Sequence, residues 1–167
     1  FSPLFLVRMH ATMAIEIERK FLVIGQPWQQ AVGVVFRQGY LSRDKARTVR
    51  VRVADDAAFL TIKGVSVGAT RAEFEYPIPL ADAEALLALC EGPLIEKTRY
   101  LLDHAGTRWE LDVFVGDNAG LVVAEVELAS EDQAFARPDW LGDEVTQDAR
   151  YFNSNLAAYP YCRWATP

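Results

Sequence analysis

The chain has 167 residues, a length that suits one domain and leaves little room for two. Apolar residues make up 51% of it, which is enough to build a core and argues against wholesale disorder. The formal net charge of −6 disfavours a protein that binds nucleic acid regardless of sequence, and two cysteines are too few for a disulfide framework or a cysteine-rich zinc site.

The first predicted segment is a flexible N-terminal extension over residues 1–12. Its apolar run over residues 1–7 is too short to cross a bilayer and lacks the basic leader of a secretory signal. No other stretch approaches the roughly eighteen apolar residues that a membrane helix needs. Because the strongest strand pattern starts after Met13, we expect one cytoplasmic domain over residues 13–167.

Alternation of apolar and polar residues with period two, the pattern of a half-buried strand, follows through most of the chain. It predicts eight strands, near residues 14–23, 36–42, 48–54, 57–63, 70–78, 94–103, 107–115 and 121–128. A fold this rich in strands within one domain predicts a mainly β (α+β) class: an eight-stranded antiparallel closed β-barrel.

Helical spacing interrupts the strand pattern at a few places. It predicts a helix over residues 81–90, with Asp82 as the N-cap or first-turn acid and Gly92-Pro93 as the end signal. It also predicts a helical turn over residues 130–135 and a closing helix over residues 147–158. The barrel is therefore expected to carry a few flanking helices and a C-terminal capping helix.

The charged residues of the predicted strands fall on one face, as doublets of a single sign. A solvated sheet face explains any one of these strands. Like charges two residues apart on one strand face repel, however, and need an opposite charge or a ligand. Since the doublets recur on strand after strand, we interpret the charged face as a ligand-binding site and not as a face exposed to water. They are Glu16 with Glu18, Arg50 with Arg52, Glu73 with Glu75, Lys97 with Arg99, and Glu125 with Glu127.

The two signs together indicate the ligand. Arginine and lysine suit phosphate oxygens, but neighbouring carboxylates repel a bare polyanion unless a divalent cation lies between them. Carboxylate oxygens suit Mg²⁺ or Mn²⁺, which bridge carboxylates and substrate phosphates. The pattern therefore predicts metal-assisted binding of a phosphate chain, and leaves hydrolysis and simple binding both open.

In their order along residues 14–164, these motifs resemble the CYTH superfamily, the triphosphate tunnel metalloenzymes. They are E-x-E-x-K from Glu16, R-x-R from Arg50, T-I-K from Thr61, R-x-E-x-E from Arg71, K-x-R from Lys97 and E-x-E from Glu125. Local strings at residues 37–41, 96–100 and 142–146, the last followed by Arg150-Tyr151, are similar to the compact bacterial branch of inorganic triphosphatases. The resemblance implies an eight-stranded antiparallel tunnel, in agreement with the strand pattern.

The resemblance also implies a role for each motif residue. Divalent metal would be held by Glu16, Glu18, Glu125 and Glu127, completed or supported by Asp112, Glu73 and Glu75. The triphosphate oxygens would be bound by Lys20, Arg50, Arg52, Lys63, Arg71, Lys97 and Arg99, and Arg150 would cap the tunnel. Candidates for positioning water or moving a proton are Tyr40, Lys97 and Lys20. Further candidates for the lining are Arg37 and Glu110.

The implied activity is hydrolysis of inorganic triphosphate, or a related triphosphate, with Mg²⁺ or Mn²⁺ as cofactor. Adenylyl cyclase and thiamine triphosphatase are alternatives; the second needs an aromatic platform, for which Trp28 or Trp109 is a candidate. A non-catalytic polyphosphate or nucleotide sensor would use the same lining, so turnover alone separates it from an enzyme. The expected partner is a small triphosphate, with no nucleic acid or membrane, and apolar outer strand faces leave a homodimer open.

Overall fold

The computed structural model describes residues 14–164, so the extension expected at residues 1–12 lies outside the described part. Within it, the helices are α1 (Leu80–Leu87) and α2 (Asn153–Ala158). The strands are β1 (Ala14–Val23), β2 (Val34–Ser42), β3 (Arg47–Ala54), β4 (Ala57–Gly64), β5 (Thr70–Pro77), β6 (Glu91–His104), β7 (Thr107–Phe114), β8 (Val122–Glu127) and β9 (Leu141–Glu144). No helix among the described residues is both long and apolar enough to cross a membrane.

Strands β1 to β8 form a closed antiparallel barrel, which confirms the predicted fold class. Around the circle the order is β1-β5-β4-β3-β2-β6-β7-β8, and the circle closes because β8 pairs with β1. The short strand β9 is added outside it, against Phe21 and Val23 of β1. This ninth strand was not predicted, because its sequence Leu-Gly-Asp-Glu has a single apolar residue and no alternation.

The helical predictions need correction. Helix α1 ends at Leu87, and the backbone tightens there: the amide of Cys90 donates to the carbonyl of Leu87 three residues back. Gly92 and Pro93 belong to β6 and do not end the helix. Asp82 lies in the first turn, and Pro79 takes the N-cap position.

The other two helical segments also differ from the prediction. The helical turn predicted over residues 130–135 is wrong: the amide of Gln133 donates to the carbonyl of Ser130 and closes a single turn, and residues 133–135 are irregular. The predicted closing helix is split into a 3₁₀ turn over Ala149–Tyr151 and α2, because Phe152 between them has extended backbone angles (φ −68°, ψ 132°). The side chain of Asp148 caps the first piece by accepting from the amide of Arg150.

Apolar side chains pack mainly outside the barrel. One cluster covers β1, β7 and β8, where Trp109 makes edge contacts with Phe21 and Trp140. A second lies between β3 and α1. A third lies at the barrel end where β2 and β7 finish, and Leu156 of α2 packs into it against Phe114. Stability therefore comes from the outer faces and this one end, which leaves the rest of the interior to polar residues.

Candidate active site

The barrel encloses a cavity of about 490 Å³ lined largely by charged side chains. It exists because the charged members of each alternating strand point inward while their apolar neighbours point out. The predicted site residues that line it are Glu16, Glu18, Lys20, Tyr40, Arg50, Arg52, Lys63, Arg71, Glu73, Glu75, Arg99, Glu110, Glu125 and Glu127.

Other predicted residues are not brought to this cavity. Lys97 and Asp112 are buried behind its wall and pair with each other. Arg150 is exposed and pairs with Asp148. Arg37 lies on the outer face, where it pairs with Glu84 of α1. The roles implied for these residues stay predictions. In this structure none of the four lines the cavity.

Positive and negative charge face each other across the barrel. Strand β3 contributes Arg50 and Arg52, and β8 contributes Glu125 and Glu127. In the closed circle of eight strands, β3 and β8 are four places apart in either direction, so they lie on opposite walls. We call the side of β3 the arginine wall and the side of β8 and its neighbour β1 the carboxylate wall. A ligand that spans the cavity would therefore meet cations at one side and carboxylates at the other.

The carboxylates are crowded where β1 meets β8. Glu18 is the register partner of Glu127, and Lys20 is the partner of Glu125. Burial raises the pKa of Glu18 to about 8, with the neighbouring carboxylates of Glu125 and Glu16 adding to the effect. Within 4 Å of Glu18 the described residues supply one ammonium, that of Lys20, which lies 3.8 Å from Glu18 and 3.5 Å from Glu125; Lys63 also opposes the rise in pKa without cancelling it. Glu18 therefore keeps its proton at neutral pH, and a divalent cation bound beside it would favour its ionised form.

Glu16 has a different environment on the same strand face. Its Oε2 accepts from the Lys63 ammonium at 2.8 Å and lies 3.5 Å from the Arg71 guanidinium. Burial alone would raise the pKa of Glu16, but these two cations hold it well below its usual range. Glu16 is therefore ionised and already paired, whereas Glu18 is the carboxylate in need of a cation.

The side-chain oxygens of the carboxylate wall fit a hard divalent cation. It consists of carboxylate oxygens, and none of the described lining residues is histidine or cysteine. Among residues 14–164, no three acidic, histidine or cysteine side chains already converge on a single metal position. Mg²⁺ is commonly held by only one or two carboxylates, with water and substrate phosphate as its other ligands. Glu18 and its neighbours satisfy that smaller requirement.

The arginine wall carries positive charge that the carboxylates around it do not fully neutralise. Arg52 has no carboxylate within 4 Å among the described residues, and its Nε donates to the Gln38 amide at 2.9 Å. Burial next to Arg50 and Arg99 lowers the pKa of Arg52 to about 9, which leaves the guanidinium protonated at neutral pH. The buried Nε of Arg50 has no hydrogen-bond partner within residues 14–164. Unpaired buried donors and charge are costly, so this wall favours an anion.

Behind the wall, Asp112 is enclosed by cations. It accepts from Arg99 Nε at 2.7 Å and Nη2 at 2.8 Å, and from the Lys97 ammonium at 2.5 Å. Burial alone would raise the pKa of Asp112, but Arg99 and Lys97 hold it well below its usual range. Burial lowers the pKa of Lys97 to about 7, although Asp112 opposes the shift. Asp112 thus orients Arg99 and has no oxygen directed at a metal in the cavity.

Sequence reasoning missed several polar residues of the site. Thr61 links Arg50 to Glu75, and Asn153 enters the lining from the start of α2. Gln38 is fully buried on the inner face of β2. Its position two residues before Tyr40 was a usable signal, since period two places both on one face; nothing in the sequence pointed to Asn153.

A closed barrel with an arginine wall opposite a carboxylate wall defines a class of site suited to phosphate chains bound with a divalent cation. The family model of the CYTH domain matches residues 14–159. The chain therefore belongs to the CYTH family, as the order of its motifs predicted. Membership implies a requirement for a divalent metal ion.

Relatives with known names agree with this assignment. The inorganic triphosphatase of Acetivibrio thermocellus is 52% identical over 151 residues, which is 89% of this chain and 97% of that protein. The inorganic triphosphatase of Nitrosomonas europaea is 44% identical over 148 residues, 85% of this chain and 96% of that protein. A crystal structure of an inorganic triphosphatase superposes with a TM-score of 0.64 at 41% identity, covering 85% of this chain and 97% of its own.

Proposed function

We propose that this protein hydrolyses inorganic triphosphate in the barrel cavity, with Mg²⁺ or Mn²⁺ as cofactor. The observation that carries the proposal is the pair of opposed walls, with incompletely compensated arginines on β3 and crowded carboxylates on β1 and β8. A metal-bound triphosphate supplies both missing charges at once. The names of two relatives at 52% and 44% identity support the same substrate.

The roles divide between the walls. Phosphate oxygens are bound by Arg50, Arg52, Lys63, Arg71 and Arg99, while the metal is held by Glu18, Glu125 and Glu127, with Glu16, Glu73 and Glu75 in support. When bound, the divalent cation neutralises phosphate charge and makes a water molecule more acidic. Hydrolysis of a phosphoanhydride otherwise needs mainly positioning and stabilisation of charge, which this lining provides.

Of the three candidates for positioning water or moving a proton, Lys20 and Tyr40 line the cavity. The Lys20 ammonium lies between Glu18 and Glu125, and these carboxylates raise its pKa although burial opposes the shift. Lys20 therefore serves as a cation that orients water or phosphate. Tyr40 presents its side chain to the cavity from β2. Lys97 acts indirectly, because it contacts Asp112, which in turn orients Arg99.

The structure favours an inorganic substrate over thiamine triphosphate. Trp109 is fully buried in the outer cluster and Trp28 packs on Tyr100, so neither lines the cavity. Within the described lining the aromatic side chains are those of Tyr40 and Phe152. The aromatic platform expected from Trp28 or Trp109 is therefore absent from the described site, and the same reasoning disfavours an adenine pocket.

The two cysteines bear on the cellular compartment. We infer a cytoplasmic enzyme because its two cysteines, Cys90 and Cys162, are both free. A single domain over residues 13–167 and a homodimer stay predictions.

The deciding experiment measures phosphate release from inorganic triphosphate, ATP and thiamine triphosphate, with Mg²⁺, with Mn²⁺ and with chelator. We expect metal-dependent turnover with preference for inorganic triphosphate. Glu125→Gln should lose most of it, whereas Glu84→Gln, on the outside of the barrel, is the matched control. Formation of cyclic AMP from ATP would establish the cyclase instead. Tight binding of triphosphate without turnover of any substrate would establish the sensor.

A further inference from the structure

Arg52 differs from the other cations of the cavity in its partner. Within the part of the chain that the structure describes, each of the others has a carboxylate within 4 Å. The pairs are Lys20 with Glu18 and Glu125, Arg50 with Glu75, Lys63 with Glu16 and Glu73, Arg71 with Glu16, Arg99 with Asp112 and Glu125, and Arg108 with Asp103. Arg52 is held by the neutral amide of Gln38 instead.

The contact between Gln38 and Arg52 is built into the barrel. The two residues are register partners on β2 and β3, so both side chains point to the same interior face. Gln38 is fully buried, and its Oε1 accepts from Arg52 Nε at 2.9 Å. The Phe36 ring lies 4.8 Å from the guanidinium carbon and supports it from a second side. Arg52 is thus fixed in direction without being neutralised.

A chain of hydrogen bonds fixes the direction of the Gln38 amide. Asn153 Oδ1 lies 3.3 Å from Lys97 Nζ, which as an ammonium paired with Asp112 can only donate, so the Asn153 atom facing it is the oxygen. Gln38 Nε2 lies 3.3 Å from the same oxygen and must donate to it. The carbonyl oxygen of Gln38 is then the end turned to Arg52. The network ties the first residue of α2 to the arginine wall.

We propose that Gln38 is a positioning residue that holds Arg52 against the phosphate chain while leaving its full charge for the substrate. The inference rests on the proposed function and deepens it. A carboxylate here would orient Arg52 equally well but would compete with phosphate for its charge. An apolar residue of similar size would preserve the charge and lose the orientation. Neither the like-charge doublets nor the opposed walls require an amide at this position.

The test compares Gln38→Glu and Gln38→Leu with wild type, alone and in an Arg52→Met background. Losing a charge-assisted hydrogen bond to phosphate weakens binding by about tenfold or more. We therefore expect Gln38→Glu to raise KM for inorganic triphosphate by about tenfold. The turnover number kcat should change much less. This rise in KM should shrink as the pH is lowered, because the introduced glutamate becomes protonated and then no longer competes with phosphate for Arg52. In the Arg52→Met background, Gln38→Glu should have little further effect.

Gln133→Glu is the matched control, because it adds the same charge at an exposed residue of the cavity lining whose side-chain oxygen accepts from the Ala129 amide and, among the described residues, from no arginine. Unfolding midpoints of every variant separate misfolding from loss of positioning. The inference is overturned if Gln38→Glu leaves KM within about twofold of wild type, or if its effect persists undiminished without Arg52.

The same cycle, read from calorimetric binding of inorganic triphosphate, does not depend on turnover. If wild type binds triphosphate without hydrolysing it, the proposed function fails, while the dissociation constants still test Gln38. If wild type hydrolyses triphosphate and the cycle shows no coupling, the inference alone fails. If wild type binds no triphosphate, both fail together.

Discussion

Replacing Glu18 by glutamine should reveal a stability cost that the protein carries at alkaline pH once metal has been removed with chelator. The pKa of Glu18 is about 8 in the folded chain against an ordinary value of 4.5, because burial and two neighbouring carboxylates oppose ionisation. The folded state therefore holds this proton more tightly than the unfolded state does. In metal-free protein, stability is fully retained below pH 4.5 and is lost progressively as pH rises toward 8.

The size of the effect follows from the same values. At about 1.4 kcal/mol for each pH unit, the interval from 4.5 to about 8 corresponds to roughly 5 kcal/mol as an upper limit. Urea unfolding of chelator-treated protein between pH 5 and 9 measures it. We expect the free energy of unfolding of wild type to fall by a few kcal/mol more than that of Glu18→Gln. Glu84→Gln should follow wild type.

A divalent cation should reverse this loss. Because it relieves the repulsion among ionised carboxylates, Mg²⁺ or Mn²⁺ should restore more stability to wild type at pH 9 than at pH 5. The Glu18→Gln variant should recover less at either pH. Parallel pH profiles of wild type and Glu18→Gln in chelator would refute the reasoning, since they would mean that Glu18 is ionised without cost.

Substitutions at three other residues test the rest of the structure by urea unfolding. Asp112→Asn should cost about 3–5 kcal/mol, because it leaves the buried Lys97 and Arg99 without their carboxylate; a loss below about 1 kcal/mol would contradict the pairing. Trp109→Ala should also cost about 3–5 kcal/mol, whereas Trp109→Phe should cost much less, because the indole N–H has no hydrogen-bond partner in the described part of the chain; equal losses would contradict this. Glu144→Gln should cost less than about 1 kcal/mol, since its arginine pair is partly exposed; a larger loss would show that β9 depends on that pair.

The strands were predictable because one signal determines both their presence and their orientation. Alternation with period two identified eight of the nine described strands and also separated charged from apolar faces. The signal failed where an element depends on distant contacts. Strand β9 exists because β1 offers an edge near Phe21 and Val23, and the closing helix is interrupted by the local backbone of Phe152.

For the site, the doublets predicted which side chains face inward but not how deep along the barrel each one lies. Lys97 and Arg99 share a strand face, yet Arg99 lines the cavity and Lys97 is enclosed with Asp112. Depth depends on where Leu156 and its neighbours fill the barrel end, and α2 reaches that point only through the tertiary fold. Gln38 was overlooked because a neutral amide between two charged strands carries no charge signal.

The division between the two faces of the barrel has a consequence for how such a protein can change over evolutionary time. The outer faces, with residues such as Trp109 and Val51, supply the packing, and eight strands closed into a circle hold the walls apart. The inner face supplies charges, one of which, Glu18, is costly to ionise in its buried position. Substitutions inside can therefore redirect the chemistry while the scaffold persists, so that selectivity for new phosphate compounds is open to change without rebuilding the fold.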